Sequence, residues 1–88
     1  MTVYCVSYDL NKEGQNYEDL YVELKKSPGW WHYLDSTWLI STSENAVQLS
    51  ERLLKHLDSN DSLLVIGVTT DRAGWLSKKA WEWIGQHS

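Results

Sequence analysis

Residues that commonly carry chemistry are sparse in this chain of 88 residues. Cys5 is the only cysteine, which excludes an intrachain disulfide, and the three histidines have no metal-ligand spacing, so no zinc site is expected. No glycine-rich phosphate loop, serine–histidine–acid set or cysteine pair is present. No segment approaches the roughly 18 apolar residues of a membrane-spanning helix. The N-terminus also lacks a charged region followed by a long apolar run, so the chain reads as cytoplasmic, with no membrane partner. Positive charge is short as well. Eight Lys and Arg stand against twelve Asp and Glu, for a net charge of −4. That argues against a tight, nonspecific nucleic-acid binder, whose affinity comes mostly from neutralised phosphates. It leaves room for a nuclease that uses a local basic patch.

Aromatic side chains are abundant, with six tryptophans and five tyrosines. The length allows one domain, residues 1–88, around one core. A chain of this size buries only about 60–65% of the surface its unfolded form exposes. The large rings add apolar area, but they outnumber what a small core hides. The surplus is expected at a subunit contact or a ligand surface.

Residues 2–8 predict a strand rich in β-branched and aromatic types. Val3, Cys5 and Ser7 face one way and Tyr4, Val6 and Tyr8 the other, so both faces are largely apolar, as in a central strand. Residues 11–16 read as a polar loop. Residues 17–26 predict a helix with Tyr17, Leu20, Tyr21 and Leu24 at helical spacing. Its acidic start and basic end suit the helix dipole, and Ser27-Pro28-Gly29 stops it. Residues 31–34 and 37–42 read as two strands, a bent hairpin around Asp35-Ser36. Ser43 is positioned to cap a second helix running to about Leu57, with Ala46, Leu49, Leu53, Leu54 and Leu57 inward. A turn over 58–61 leads to a strand over 62–68. A closing helix over 73–86 presents Leu76, Ala80, Trp83 and Ile84. The order is that of an α+β ferredoxin-like sandwich, βαββαβ, with an additional C-terminal helix. Both main helices then lie on one sheet face. The bare face needs a cover, and a second subunit is the simplest one.

Three segments carry a resemblance: Tyr4-Cys5-Val6-Ser7-Tyr8-Asp9-Leu10, Leu20-Tyr21 and Ser36-Thr37-Trp38-Leu39-Ile40. Together they resemble the CRISPR-associated Cas2-like superfamily. The ending, residues 61–68 with Ala73-Gly74-Trp75 and Trp81-Glu82-Trp83-Ile84, is most similar to its small SinR-like proteins. The resemblance implies a ferredoxin-like homodimer. It also implies either a metal-dependent nuclease for RNA or DNA, or a non-catalytic adaptor in a defence or toxin–antitoxin system. It places the key aspartate at Asp9, after Tyr8, where two copies would meet and share a divalent ion. The chain departs from the family pattern in its acidic first helix, and its tryptophan-rich closing helix replaces the usual last strand.

Asp9 is accordingly the candidate catalytic and metal-binding residue. Mg²⁺ or Mn²⁺ takes oxygen ligands, and hydrolysis of a phosphodiester uses such an ion to activate water. The alternative is an aspartate that caps the loop after a strand. Lys12, Arg72, Lys78 and Lys79 are the candidate nucleic-acid contacts. The last three cluster near Trp75, since basic groups beside an aromatic hold a backbone and stack a base; otherwise they form a solvated helix face. Ser7, Asn11 and Ser36 stand near Asp9 as possible water-orienting groups. His32 is a possible general acid, and His56 suits a helix end. Arg52 and Lys55 are expected on the solvated side of the second helix. Trp30, Trp31, Trp38 and Trp75 are expected in the core or at an interface. A small-ligand pocket lined by tryptophan is a third functional class.

Overall fold

The computed structural model describes residues 1–11 and 17–88. The element order is β1 (Thr2–Asp9), α1 (Glu18–Lys25), β2 (Gly29–Leu34), β3 (Thr37–Thr42), α2 (Ala46–Leu54), β4 (Ser62–Gly67) and α3 (Lys78–His87). The four strands form one antiparallel sheet in the order β2-β3-β1-β4. This is the ferredoxin-like topology predicted from the sequence, with α3 added.

The alternation along β1 sorts two cores. Tyr4, Val6 and Tyr8 join Trp38, Ile40, Leu20, Leu24, Leu49 and Leu53 beneath α1 and α2. On the opposite face Val3, Trp31 and Leu39 pack against Ala80 and Ile84 of α3, with Leu76, Trp81 and Trp83 partly buried around them. Burying each such aliphatic or aromatic side chain is worth about 1.5–3 kcal/mol. The expectation that a second subunit covers the bare face is therefore corrected in part, because the chain's own closing helix lies on it. The cover is incomplete for a geometric reason. A helix with its side chains is about 10 Å across, while four strands spaced by about 4.8 Å span roughly twice that. Two helices close one face. The single α3 packs against β1 and β2, and Leu64 and Ile66 of β4 remain 56% and 53% exposed.

Local signals set the element ends. Asn45, not Ser43, caps α2: its Oδ1 accepts from the Gln48 backbone N–H at 2.8 Å, and Gln48 Oε1 accepts from the Asn45 N–H at 2.9 Å. This reciprocal pair satisfies two donors that the helix start otherwise leaves free. The helix ends at Leu54, which is exposed rather than inward. Ser77 caps α3 by accepting from the Ala80 N–H, so residues 73–77 lead into the helix and do not belong to it. The β2–β3 hairpin is bent by a register shift between Trp31 and Leu34. At Gly29 the end of α3 comes close: a Cβ there would lie 3.0 Å from Ser41 Cβ and 3.1 Å from His87 Cδ2.

Candidate functional site

Asp9 ends β1 opposite Ser62, on the sheet face that carries Ser7, Leu64 and Ile66. The residue is exposed, and among the described residues no hydrogen bond or ion pair holds its carboxylate. It lines a shallow depression of about 220 Å³ with Ser7, Tyr8, Ser62, Leu63 and Leu64. Among the described residues, no cationic side chain lines this depression. Ser7 Oγ lies 3.5 Å from Thr37 Oγ1. Burial pushes the Tyr8 hydroxyl above its ordinary range; the hydrogen bond from Trp38 Nε1–H, at 3.0 Å, opposes that and Tyr21 reinforces it. Tyr8 is thus a neutral hydroxyl held by the core and not a base. Burial likewise raises the Cys5 thiol, so the half-buried sulfur stays protonated.

The neighbouring carboxylate, Asp61, is engaged in shaping the loop. Its Oδ1 accepts from the Asn11 N–H at 2.8 Å and the Tyr17 hydroxyl at 2.7 Å, and its Oδ2 accepts from the Asp58 N–H at 2.7 Å. Asn11 Nδ2 donates to the Asn60 carbonyl. These bonds join the exit of β1 to the entry of β4, so Asn11 is a loop clasp. The Ser36 carbonyl accepts from the Tyr8 N–H and continues the sheet. A hard cation takes six or more oxygens. Among the described residues, Asp9 is the carboxylate that lines this depression, and no group of three His, Cys, Asp or Glu is placed to hold a metal.

Of the predicted basic contacts, Arg72, Lys78 and Lys79 do not line the Asp9 depression. Lys12 lies outside the described residues. Arg72 donates from Nη1 to the Thr69 carbonyl at 3.3 Å and to Ser88 Oγ at 2.8 Å, at the far end of α3. Lys78 and Lys79 are exposed in the first turn of α3, and Lys79 lines a second, larger groove. That groove, about 460 Å³, is bounded by Trp30, Trp31, Tyr33, Ser77, Lys79 and Trp83. It runs along the free edge of β2, two strands from β1. Trp75 is fully exposed and takes no part in it.

His32 stacks flat on Trp38, with ring centroids 3.9 Å apart, and its Nε2 approaches the Asp35 carbonyl at 3.3 Å. This is a packing role. His56 Nε2 meets Glu23 Oε1 at 3.2 Å, and His87 Nδ1 approaches the Trp83 carbonyl at 2.7 Å.

Arg52 differs most from the sequence expectation. It is not on a solvated face but binds four groups, with its side chain 22% exposed. Nη1 donates to the Glu23 carbonyl and to Glu23 Oε2, Nη2 donates to Ser27 Oγ and Glu44 Oε1, and Nε donates to both Glu44 oxygens. The fork ties the end of α1 to both ends of α2. The signal was weak in sequence because the partners lie 8 to 29 positions away.

Comparison with protein-family models, curated proteins and solved structures finds no match to this chain. Among the described residues, no helix is long and apolar enough to cross a membrane. The functional reading therefore rests on geometry.

Proposed function

We propose that the chain acts as a Cas2-like homodimer, an adaptor that joins two copies through the strip of sheet α3 leaves open. One observation carries the reading. Leu64 and Ile66, each more than half exposed, lie beside Ser7 and Asp9 on one continuous face. Exposed aliphatic side chains grouped on a sheet face are the usual mark of a partner surface. In a two-fold pairing, residues near the axis meet their own counterparts. Among the described residues no lysine or arginine lines the Asp9 depression, which supports a structural role ahead of phosphodiester cleavage. A defence or toxin–antitoxin system is the setting such an adaptor would serve.

The free Asp9 carboxylate favours a second reading, a metal-dependent endonuclease for RNA or DNA. Two Asp9 side chains across the two-fold would hold Mg²⁺ or Mn²⁺, and the ion would supply an activated water.

Sedimentation equilibrium tests the dimer. The wild-type chain should weigh as two copies and Leu64→Asp as one; a monomeric wild type ends both readings. Mn²⁺-dependent cleavage of RNA or duplex DNA, lost in Asp9→Ala while the dimer persists, would replace the adaptor with the nuclease. No cleavage leaves the adaptor standing.

A further inference from the structure

The groove at the β2 edge lies apart from the proposed dimer strip and has a different character. Its walls are aromatic. Trp31, 7% exposed, forms the floor, and its ring centroid lies 5.4 Å from that of Tyr33 at a tilt of 57°. Tyr33 is 81% exposed, so most of its ring is free to meet a ligand. Trp83, on the opposite wall, is braced by His87, which stacks on it at 4.1 Å between centroids. Among the described residues, the polar groups of the lining are Lys79 and the Ser77 hydroxyl, and no carboxylate lines the groove. Ser77 accepts from the Ala80 N–H, and its own proton remains available to donate. The volume of about 460 Å³ falls within the roughly 300–1,000 Å³ of small-molecule sites.

From this set of groups we infer that the groove binds a mononucleotide, with its base stacked among Tyr33, Trp31 and Trp83 and its phosphate on Lys79. Aromatic rings take any base, because every base has a π-face. A cation in a groove whose described lining holds no carboxylate, on an otherwise acidic chain, complements one anionic group. A polynucleotide is the poorer occupant, since its affinity requires many neutralised phosphates and the described lining of the groove offers one lysine.

The test is titration of the ¹⁵N-labelled full chain with AMP and with UMP, following the six tryptophan indole N–H signals. The signals of Trp31 and Trp83 should move, while that of Trp38, in the other core, should stay. Tyr33 and Lys79 are exposed, so Tyr33→Ala and Lys79→Ala should fold normally and each weaken AMP binding by roughly ten-fold, the scale of one lost stacking or phosphate contact. Adenosine should bind wild type about as weakly as AMP binds Lys79→Ala. Leu64→Asp should bind AMP as wild type does, which separates this inference from the dimer. It is overturned by absent shifts at millimolar nucleotide, by equal affinity for adenosine and AMP, by indifference to both variants, or by binding of a single-stranded oligonucleotide but not of AMP.

Discussion

Beneath α1 and α2 the sheet presents Tyr4, Val6, Tyr8, Trp38 and Ile40, none more than 8% exposed. On the α3 side the sheet grades from Val3 at 1% exposed under the helix to Ile66 and Leu64 of β4, beyond it, at over half exposed. The first face is also cross-tied by polar contacts: Trp38 donates to Tyr8 across the core, and Arg52 clamps the two helices. The second face holds its helix by apolar contact and by close approach at Gly29. The closed face holds the fold, whereas the half-closed face leaves both the open strip and the edge groove available to partners.

This contrast breaks first, and most heavily, at Trp38. Trp38→Ala should cost about 3–5 kcal/mol, the range for deleting a buried large ring. It also removes the donor to Tyr8 and the ring on which His32 rests. Urea denaturation measures it. Ile84→Ala on α3 should cost about 2 kcal/mol, the low end for a buried aliphatic truncation, because a terminal helix on a half-covered face can settle into the gap. Equal losses for the two would show the faces to be energetically alike.

Arg52→Met sharpens the difference between the faces at the next level. It keeps the aliphatic stem and removes the fork that binds Glu23, Ser27 and Glu44. Hydrogen bonds to charged groups are worth about 1.5–3 kcal/mol, and partial solvation discounts that. A loss of about 1–2 kcal/mol is expected, read from the same denaturation curves. No loss would reduce the network to a surface ornament of the closed face.

How legible these features were in sequence follows from the range of the interactions. The strands and main helices could be read because period-2 alternation in β1 and the Tyr17–Leu24 stripe are local patterns. The switch from Ser43 to Asn45 as cap was readable too, from Gln48 three positions on, the capping-box spacing. Arg52 was not readable, because a charge on a helix looks solvated until another helix brings carboxylates to it. The groove was legible only as an excess of aromatic rings. Its assembly needs α3 to cross β2, which no local pattern specifies. Asp9 was found by its place at a strand end, but the placing of Lys78 and Lys79 away from its depression depends on how α3 packs, which no local pattern specifies.

The smallest expected effect concerns acid, and it acts only on the closed face. At Glu23, burial pushes the carboxyl up, but hydrogen bonds from Arg52 and His56, with the charges of Lys26 and Arg52, outweigh it and hold the group below the usual range. At Glu44 the bond from Arg52 leads, aided by Thr42 and opposed by burial, and the result is again a lowered value. A carboxyl that is more acidic folded than unfolded contributes stability that is complete above its unfolded value, about 4.3 for glutamate. That contribution disappears as pH falls through the folded value. Melting temperature should therefore fall between about pH 5 and pH 3, and Arg52→Met should show a shallower fall over that window, because both carboxyls then titrate nearer their ordinary range. Arg52 stays protonated throughout, so the slope difference reports the two glutamates alone. Parallel slopes for wild type and variant would mean that the fork adds no acid-sensitive stability. The closed face would then owe its strength to Trp38 and the leucines beneath α1 and α2.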